Sequence, residues 1–107
     1  MLVKMESNGS GSGLKFKVVS STSGTSTPIR TETFSDFTKI KSVSIGIFQN
    51  ASARSGFTCY GYLDDDDNFL KSTVSNNLDI FSISGNTITW QYLYGANYPM
   101  EFVVVGE

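Results

Sequence analysis

The chain has 107 residues, 39% of them apolar and 17% charged, with a net charge of −2. This length predicts one domain with a thin packed core. The absence of histidine and the presence of one cysteine exclude an internal disulfide, a Cys/His zinc site and a histidine-based triad. The Lys and Arg residues are scattered in an acidic total, so we do not expect nucleic-acid binding.

The first 13 residues are predicted to be an arm and a flexible spacer outside the folded domain. Residues 8–13 read Asn-Gly-Ser-Gly-Ser-Gly, the composition of a flexible linker. They isolate a short segment in which Leu2, Val3 and Met5 are apolar, and we expect this arm to dock on a neighbouring subunit; a frayed terminus is the alternative. The segment lacks the apolar stretch of a signal peptide, and no window is typical of a membrane span. We therefore expect synthesis in the cytoplasm and no membrane insertion.

From residue 14 onward the pattern indicates one short strand after another. Residues 14–18 alternate apolar with cationic side chains, residues 29–34 are typical of an edge strand, and residues 40–47 have the strongest alternation. Further strands are predicted at residues 56–63, 69–74, 78–84, 87–94 and 100–106. Gly85-Asn86 is typical of a type II′ hairpin turn. Residues 14–107 are therefore predicted to form one all-β domain, an antiparallel sandwich or jelly-roll of about eight strands without significant helix.

Two further patterns concern contacts between subunits. The closing run Val103, Val104 and Val105 is apolar on both faces, which predicts a central strand or a strand covered by another subunit. Charge is also uneven, since residues 1–54 have seven Lys/Arg and three acids, whereas residues 55–107 have one Lys and seven acids. Ordinary loop composition accounts for this difference; the alternative is a bipolar particle that stacks head to tail or on an acidic partner.

The most conspicuous polar feature is the acidic run Asp64, Asp65, Asp66 and Asp67. Adjacent carboxylates repel one another, so the run predicts a solvated turn between two strands. Clustered carboxylates are also ligands for calcium, which leaves a calcium site as an alternative. The alternating acids and the distal Glu of a calcium-binding loop are absent, and no other cofactor is expected.

An aromatic group near the end of the chain is the other candidate site, and its members are Trp90, Tyr92, Tyr94, Asn97 and Tyr98. The first three share one side of a predicted strand, which is typical of core packing, a protein interface or a sugar-stacking platform. Tyr60 and Tyr62 share a strand face and could join such a platform. Cys59 lies on the face of Phe57 and Leu63, which predicts a buried, inert thiol.

Residues 34–106 resemble small fibre modules of bacteriophage and are similar to the H-type lectin fold. The resemblance rests on Phe34-x-x-Phe37 before the strand Val43-x-Ile45-x-Ile47, on Gly56-Phe57, and on the closing Phe102-Val-Val-Val-Gly106. It implies a trimeric β-sandwich that binds surface carbohydrate or builds virion appendages. The lectins' sugar-contact positions have no identifiable counterpart in this sequence.

We therefore expect a non-enzymatic structural protein of a bacteriophage virion. It would be a capsid decoration, head-fibre or small tail subunit that forms a homo-oligomer, with a trimer favoured, and docks on other virion proteins. The alternative is an adhesin of lectin type that binds host surface carbohydrate.

Overall fold

The computed structural model describes residues 13–25, 28–73 and 77–107. These residues form eight β-strands and no helix. The strands are Lys15–Thr22 (β1), Arg30–Thr33 (β2), Ile40–Asn50 (β3), Ser55–Leu63 (β4), Phe69–Thr73 (β5), Leu78–Ser84 (β6), Thr87–Tyr92 (β7) and Pro99–Gly106 (β8). The predicted all-β class is confirmed, and the predicted strands correspond to β1–β8 one for one. Within the described ranges, no helix is long and apolar enough to cross a membrane.

The strands form two antiparallel sheets that pack as a β-sandwich. The larger sheet has the order β1-β8-β3-β4-β5, and the smaller has the order β2-β7-β6. The pairing of β1 with β8 and of β2 with β7 is the nested arrangement of a jelly-roll, whereas β3, β4 and β5 form a meander. The predicted edge strand, β2, lies at an edge of the smaller sheet, and the valine-rich β8 lies centrally between β1 and β3.

The turn between β6 and β7 agrees with the sequence prediction. Gly85 has a φ of +60°, whereas the φ of Asn86 is not positive. A positive φ at the first turn position alone is the signature of a type II′ turn. This turn also contacts the rest of the domain, because the Ile40 N–H donates to the Gly85 carbonyl at 2.8 Å.

The core lies between the sheets and is built from alternate residues of β3, β6, β7 and β8. Its largest fully buried side chains are Trp90, Tyr92 and Phe102. The Trp90 and Phe102 rings meet edge to face with centroids 5.5 Å apart, and Phe34 meets Phe102 in the same way at 5.5 Å. The Arg30 guanidinium lies 4.4 Å from the Trp90 ring centroid and closes this aromatic stack on the β2 side.

The fold interleaves the basic and acidic parts of the chain. β8, which belongs to the acidic residues 55–107, lies between β1 and β3, which belong to the basic residues 1–54. Two ion pairs join the parts directly, Lys39 with Asp67 at 2.7 Å and Arg54 with Glu101 at 2.9 Å. These contacts bring basic and acidic residues of the two parts together in space, and the bipolar particle considered from the sequence stays a prediction.

Candidate functional site

The larger sheet has one face on the core and one outer face, and the outer face is unusually apolar at β1 and β8. Phe16 pairs with Val105 and Val18 with Val103, which puts all four side chains on the same face. Phe16 is 53% exposed and Val18 is 48% exposed. Half-exposed apolar side chains that lie side by side on paired strands form a continuous apolar surface, unlike single apolar residues scattered over a protein surface.

This arrangement reverses the expectation for β1. Alternation of apolar and cationic residues is typical of a strand whose apolar side meets the core. Here the cationic side of β1 faces inward instead, with the Lys15 ammonium 5.6 Å from the Phe37 ring centroid and Lys17 paired with Asp36. The connection between β2 and β3 supplies both partners, so the apolar side of β1 is left on the outer face.

Tyrosines form a second ridge on the same outer face. Tyr60 and Tyr62 of β4 are exposed and stack on each other with ring centroids 5.5 Å apart at 29°. Leu70 of β5 pairs with Tyr62 and is 43% exposed. The two ridges together contain five of the nine exposed large apolar side chains in the described part of the chain. We call their members the outer patch: Phe16, Val18, Tyr60, Tyr62, Leu70, Val103 and Val105.

A trough separates the two ridges because β3 contributes short side chains to this face. Ser42 pairs with Val105 on one side and Tyr62 on the other, and Ser44 pairs with Val103 and Tyr60. At the Ser42 end the trough deepens into a pocket of about 420 Å³. A pocket of this volume is large enough to receive an aromatic side chain or a small ligand.

One end of the trough is charged. Lys41 borders the pocket on the β3 side, and Asp64, Asp65 and Glu107 border it on the other sides. Lys39 donates to the Asp67 carboxylate next to this end, and that hydrogen bond lowers the pKa of Asp67. Asp67 is therefore ionised at neutral pH, and residues of both signs of charge stand at the same end of the outer patch.

The opposite end of this outer face is covered by the protein itself. Phe48 of β3 lies under the Arg54 guanidinium, 4.2 Å from the ring centroid, and Arg54 pairs with Glu101. In the smaller sheet, Phe81 is covered in the same way by Lys71, which pairs with Asp79. Among the described residues, no such cation covers the outer patch. The outer patch therefore differs from these two covered rings in being open to solvent.

The sugar platform considered from the sequence is wrong for two of its members. Trp90 and Tyr92 are both 0% exposed, because their side of β7 faces the core. The Tyr92 hydroxyl donates to the Ala96 carbonyl at 2.6 Å, and burial raises the pKa of Tyr92. Within the described residues the buried Trp90 indole N–H has no hydrogen-bond partner. Neither ring can stack on a ligand.

The other members of that group lie in the loop between β7 and β8. Tyr94 is 39% exposed, and its ring stacks on Tyr98 at 6.2 Å and 27°. Asn97 holds the loop in place, because its side-chain oxygen accepts from the Gly24 N–H at 2.8 Å. The buried Ser23 hydroxyl accepts from the Tyr98 N–H at 2.9 Å. Tyr94 remains as an exposed ring stacked on Tyr98, which is half-buried against the core, whereas Asn97 is engaged in structure.

The acidic run forms the predicted turn, and its carboxylates do not converge. Asp64 accepts from the Asp66 N–H and the Asn68 N–H, each at 2.9 Å, so it closes its own loop. The Asn68 hydrogen bond is the main cause of a lowered pKa of Asp64. In the part of the chain that the structure describes, no group of three or more acidic, Cys or His side chains could hold a metal. The calcium site at Asp64, Asp65, Asp66 and Asp67 is thus not supported.

The remaining candidates are Cys59 and the arm. Cys59 is buried as predicted, and burial raises the pKa of its thiol to about 12. Leu2, Val3 and Met5 lie outside the described residues. Leu14, which follows the spacer in sequence, borders the pocket.

Sequence patterns alone did not reveal the outer patch. The signal was present in Val103 and Val105, which make β8 apolar on both faces, but the alternation in β1 does not show which of its sides faces outward. Only the strand order, with β1 beside β8, brings them together.

The chain matches no family model, and the comparisons gave no similarity to a curated protein or to a solved structure.

Proposed function

We propose that the chain is a non-enzymatic structural subunit of a bacteriophage virion, a capsid decoration, head-fibre or small tail subunit. It acts by assembling with copies of itself and by docking on other virion proteins through the arm of residues 1–13. The sequence resemblance to small fibre modules motivates the virion assignment. The observation that supports assembly is the outer patch, an exposed apolar surface on the rigid face of a five-stranded sheet.

Subunits of this kind gain stability from their neighbours. An assembled chain is stabilised by mass action, so a domain with a thin core can leave apolar surface on one face until a partner covers it. Contiguous exposed apolar surface on a soluble domain marks an interaction site far more often than a catalytic one.

The first test is the solution mass of the purified protein over a range of concentrations, with and without residues 1–13. We expect an oligomer that depends on the outer patch, and we expect deletion of residues 1–13 to leave the fold intact while abolishing incorporation into particles. A monomer at all concentrations contradicts self-assembly. Unchanged incorporation of the deletion variant contradicts the role of the arm.

A paired substitution tests the patch itself. Phe16→Ser with Val18→Ser removes the apolar side of β1, which is exposed, so the free energy of unfolding of the monomer should change by less than about 1 kcal/mol. The oligomer should dissociate. The matched control is Leu93→Ser, which changes an equally exposed apolar residue away from this face. Dissociation of the control to the same extent would contradict a specific interface.

A second candidate function is carbohydrate binding, as expected of an adhesin. The observation that favours it is the exposed Tyr94 ring, which stacks on the half-buried Tyr98, since aromatic faces bind the apolar side of a sugar ring. A glycan array at high protein concentration is the test, with Tyr94→Ala as the binding-deficient variant. Absence of any signal, or signal that Tyr94→Ala leaves unchanged, contradicts this candidate.

A further inference from the structure

We infer that the outer patch pairs two copies of this chain about a two-fold axis that runs parallel to the strands between β3 and β4. This inference rests on the proposed self-assembly and specifies its contact. In the pair, the tyrosine ridge of each copy fills the serine trough of the other.

The shape of the face supports this pairing. A two-fold axis in the interface plane exchanges the two sides of the axis, so β4 of one copy lies over β3 of the other. Tyr60 and Tyr62 of β4 form a ridge, and Ser42 and Ser44 of β3 form the adjacent trough. Ridge therefore meets trough twice, and the pocket of about 420 Å³ at Ser42 receives the partner's Tyr62.

Charge supports the same axis. Lys41 of β3 and the acidic residues after β4, including Asp65, border the same end of the trough. Rotation about an axis parallel to the strands keeps each residue at its height along the strand. Each Lys41 then meets the acidic turn of the other copy, in two symmetric ion pairs at the edge of the contact. An axis perpendicular to the strands would instead place the charged ends of the two copies at opposite ends of the contact. Lys41 would then not meet the acidic turn of the partner.

The area fits a weak, reversible pair. With the axis between β3 and β4, four strands overlap in the pair, namely β8, β3, β4 and β5. Four strands about 4.8 Å apart, each with about seven residues at roughly 3.3 Å, span a face of about 440 Å². Two such faces bury about 900 Å² in total, which is the size of a weak, concentration-dependent interface. Two sheets packed face to face at about 10 Å also match the ordinary geometry of a β-sandwich.

The inference predicts an even number of copies. The pair by itself is a dimer, and a pair combined with a three-fold contact elsewhere on the chain is a hexamer. We therefore expect the mass of two or six chains, and we expect Ser42→Trp, which fills the trough with its own side chain, to halve that number. Ser82→Trp on the smaller sheet is the matched control and should leave the number unchanged, since Ser82 is half-buried like Ser42 and lies on a strand of the other sheet.

Charge reversal tests the axis independently of bulk. Lys41→Asp and Asp65→Lys should each weaken association by roughly tenfold at low salt, because each removes two symmetric pairs. The double variant should restore most of the loss, because it rebuilds both pairs with the signs exchanged. Two single losses that simply add in the double variant contradict this axis.

The outcomes separate the inference from the function on which it rests. A wild-type monomer overturns both the pair and the proposed self-assembly. A wild-type oligomer that Ser42→Trp leaves intact, or an odd number of chains, overturns the two-fold pair and leaves self-assembly standing.

Discussion

Lys17 of β1 forms an ion pair with Asp36 of the connection between β2 and β3, on the core-facing side of the strand. This contact explains why the apolar side of β1 meets solvent. β1 is an edge strand, and its inner side meets a connection rather than a full opposing sheet. Lysine stems can pack on apolar surface while their ammonium groups reach water or a carboxylate, so the inward position suits Lys15 and Lys17.

The thiol of Cys59 should be unreactive in the folded protein. Burial raises its pKa from the ordinary 9.0 to about 12, so the thiolate fraction at pH 8 falls by about a thousandfold. Labelling with a thiol reagent at pH 8 should be more than about a hundredfold slower in the native state than in denaturant. Equal rates in the two states contradict a buried thiol.

The same group sets a pH dependence of stability. The folded pKa is higher than the unfolded pKa, so the unfolded chain loses this proton first as the pH rises. The contribution is constant below about pH 9 and falls between pH 9 and about pH 12. Denaturant unfolding at pH 7, 9 and 10.5 measures the slope. Cys59→Ala should flatten it, and an identical slope in that variant contradicts the assignment to Cys59.

Ser23→Ala should destabilise the domain by about 1–3 kcal/mol, because it leaves buried polar groups without their hydrogen bonds. The Ser23 hydroxyl donates to the Gly24 carbonyl at 2.8 Å and accepts from the Tyr98 N–H at 2.9 Å. Urea unfolding measures the loss. Ser20→Ala on the exposed side of β1 is the control and should change stability by less than about 0.5 kcal/mol.

Gly106→Ala should be strongly destabilising although the residue is near the end of β8. A Cβ at this position would stand 2.2 Å from the Lys39 carbonyl oxygen and 2.9 Å from the Ile40 Cα, and backbone cannot give way as a side chain can. We expect a loss above about 2 kcal/mol. Gly95→Ala meets nothing within 4 Å and is the matched control, so an equal loss there contradicts the steric reason.

The acidic turn should respond to acid rather than to calcium. The hydrogen bonds to Asp64 lower its pKa, so its stabilising contribution is present at neutral pH and is lost as the pH falls through that lowered value. Asp64→Ala should lower the melting temperature at pH 7 and remove part of this acid sensitivity. Millimolar calcium or a chelator should shift neither variant. A rise in melting temperature with calcium in the wild type alone contradicts this interpretation.

The sequence by itself determined the elements of this protein. Alternation over residues 40–47 and the Gly85-Asn86 dipeptide act through local geometry, the period of two in a strand and the positive φ that a type II′ turn requires. The buried Cys59 followed from the same alternation, since Phe57 and Leu63 share its face. Local rules of this kind hold wherever the strand is placed.

Only the tertiary structure decided which apolar surfaces face the core and which face solvent. The alternation of the sequence shows that Phe16 and Val18 lie on the same side of β1. It does not show which side of β1 meets the core, because that depends on the strands and connections that pack against β1. The aromatic residues considered for sugar binding differ in burial for the same reason. Trp90 and Tyr92 lie on the core-facing side of β7, whereas Tyr94 lies in the following loop and is exposed. The outer patch exists because strands far apart in sequence, β1 and β8, lie side by side, and a long-range pairing of this kind cannot be read from any single segment.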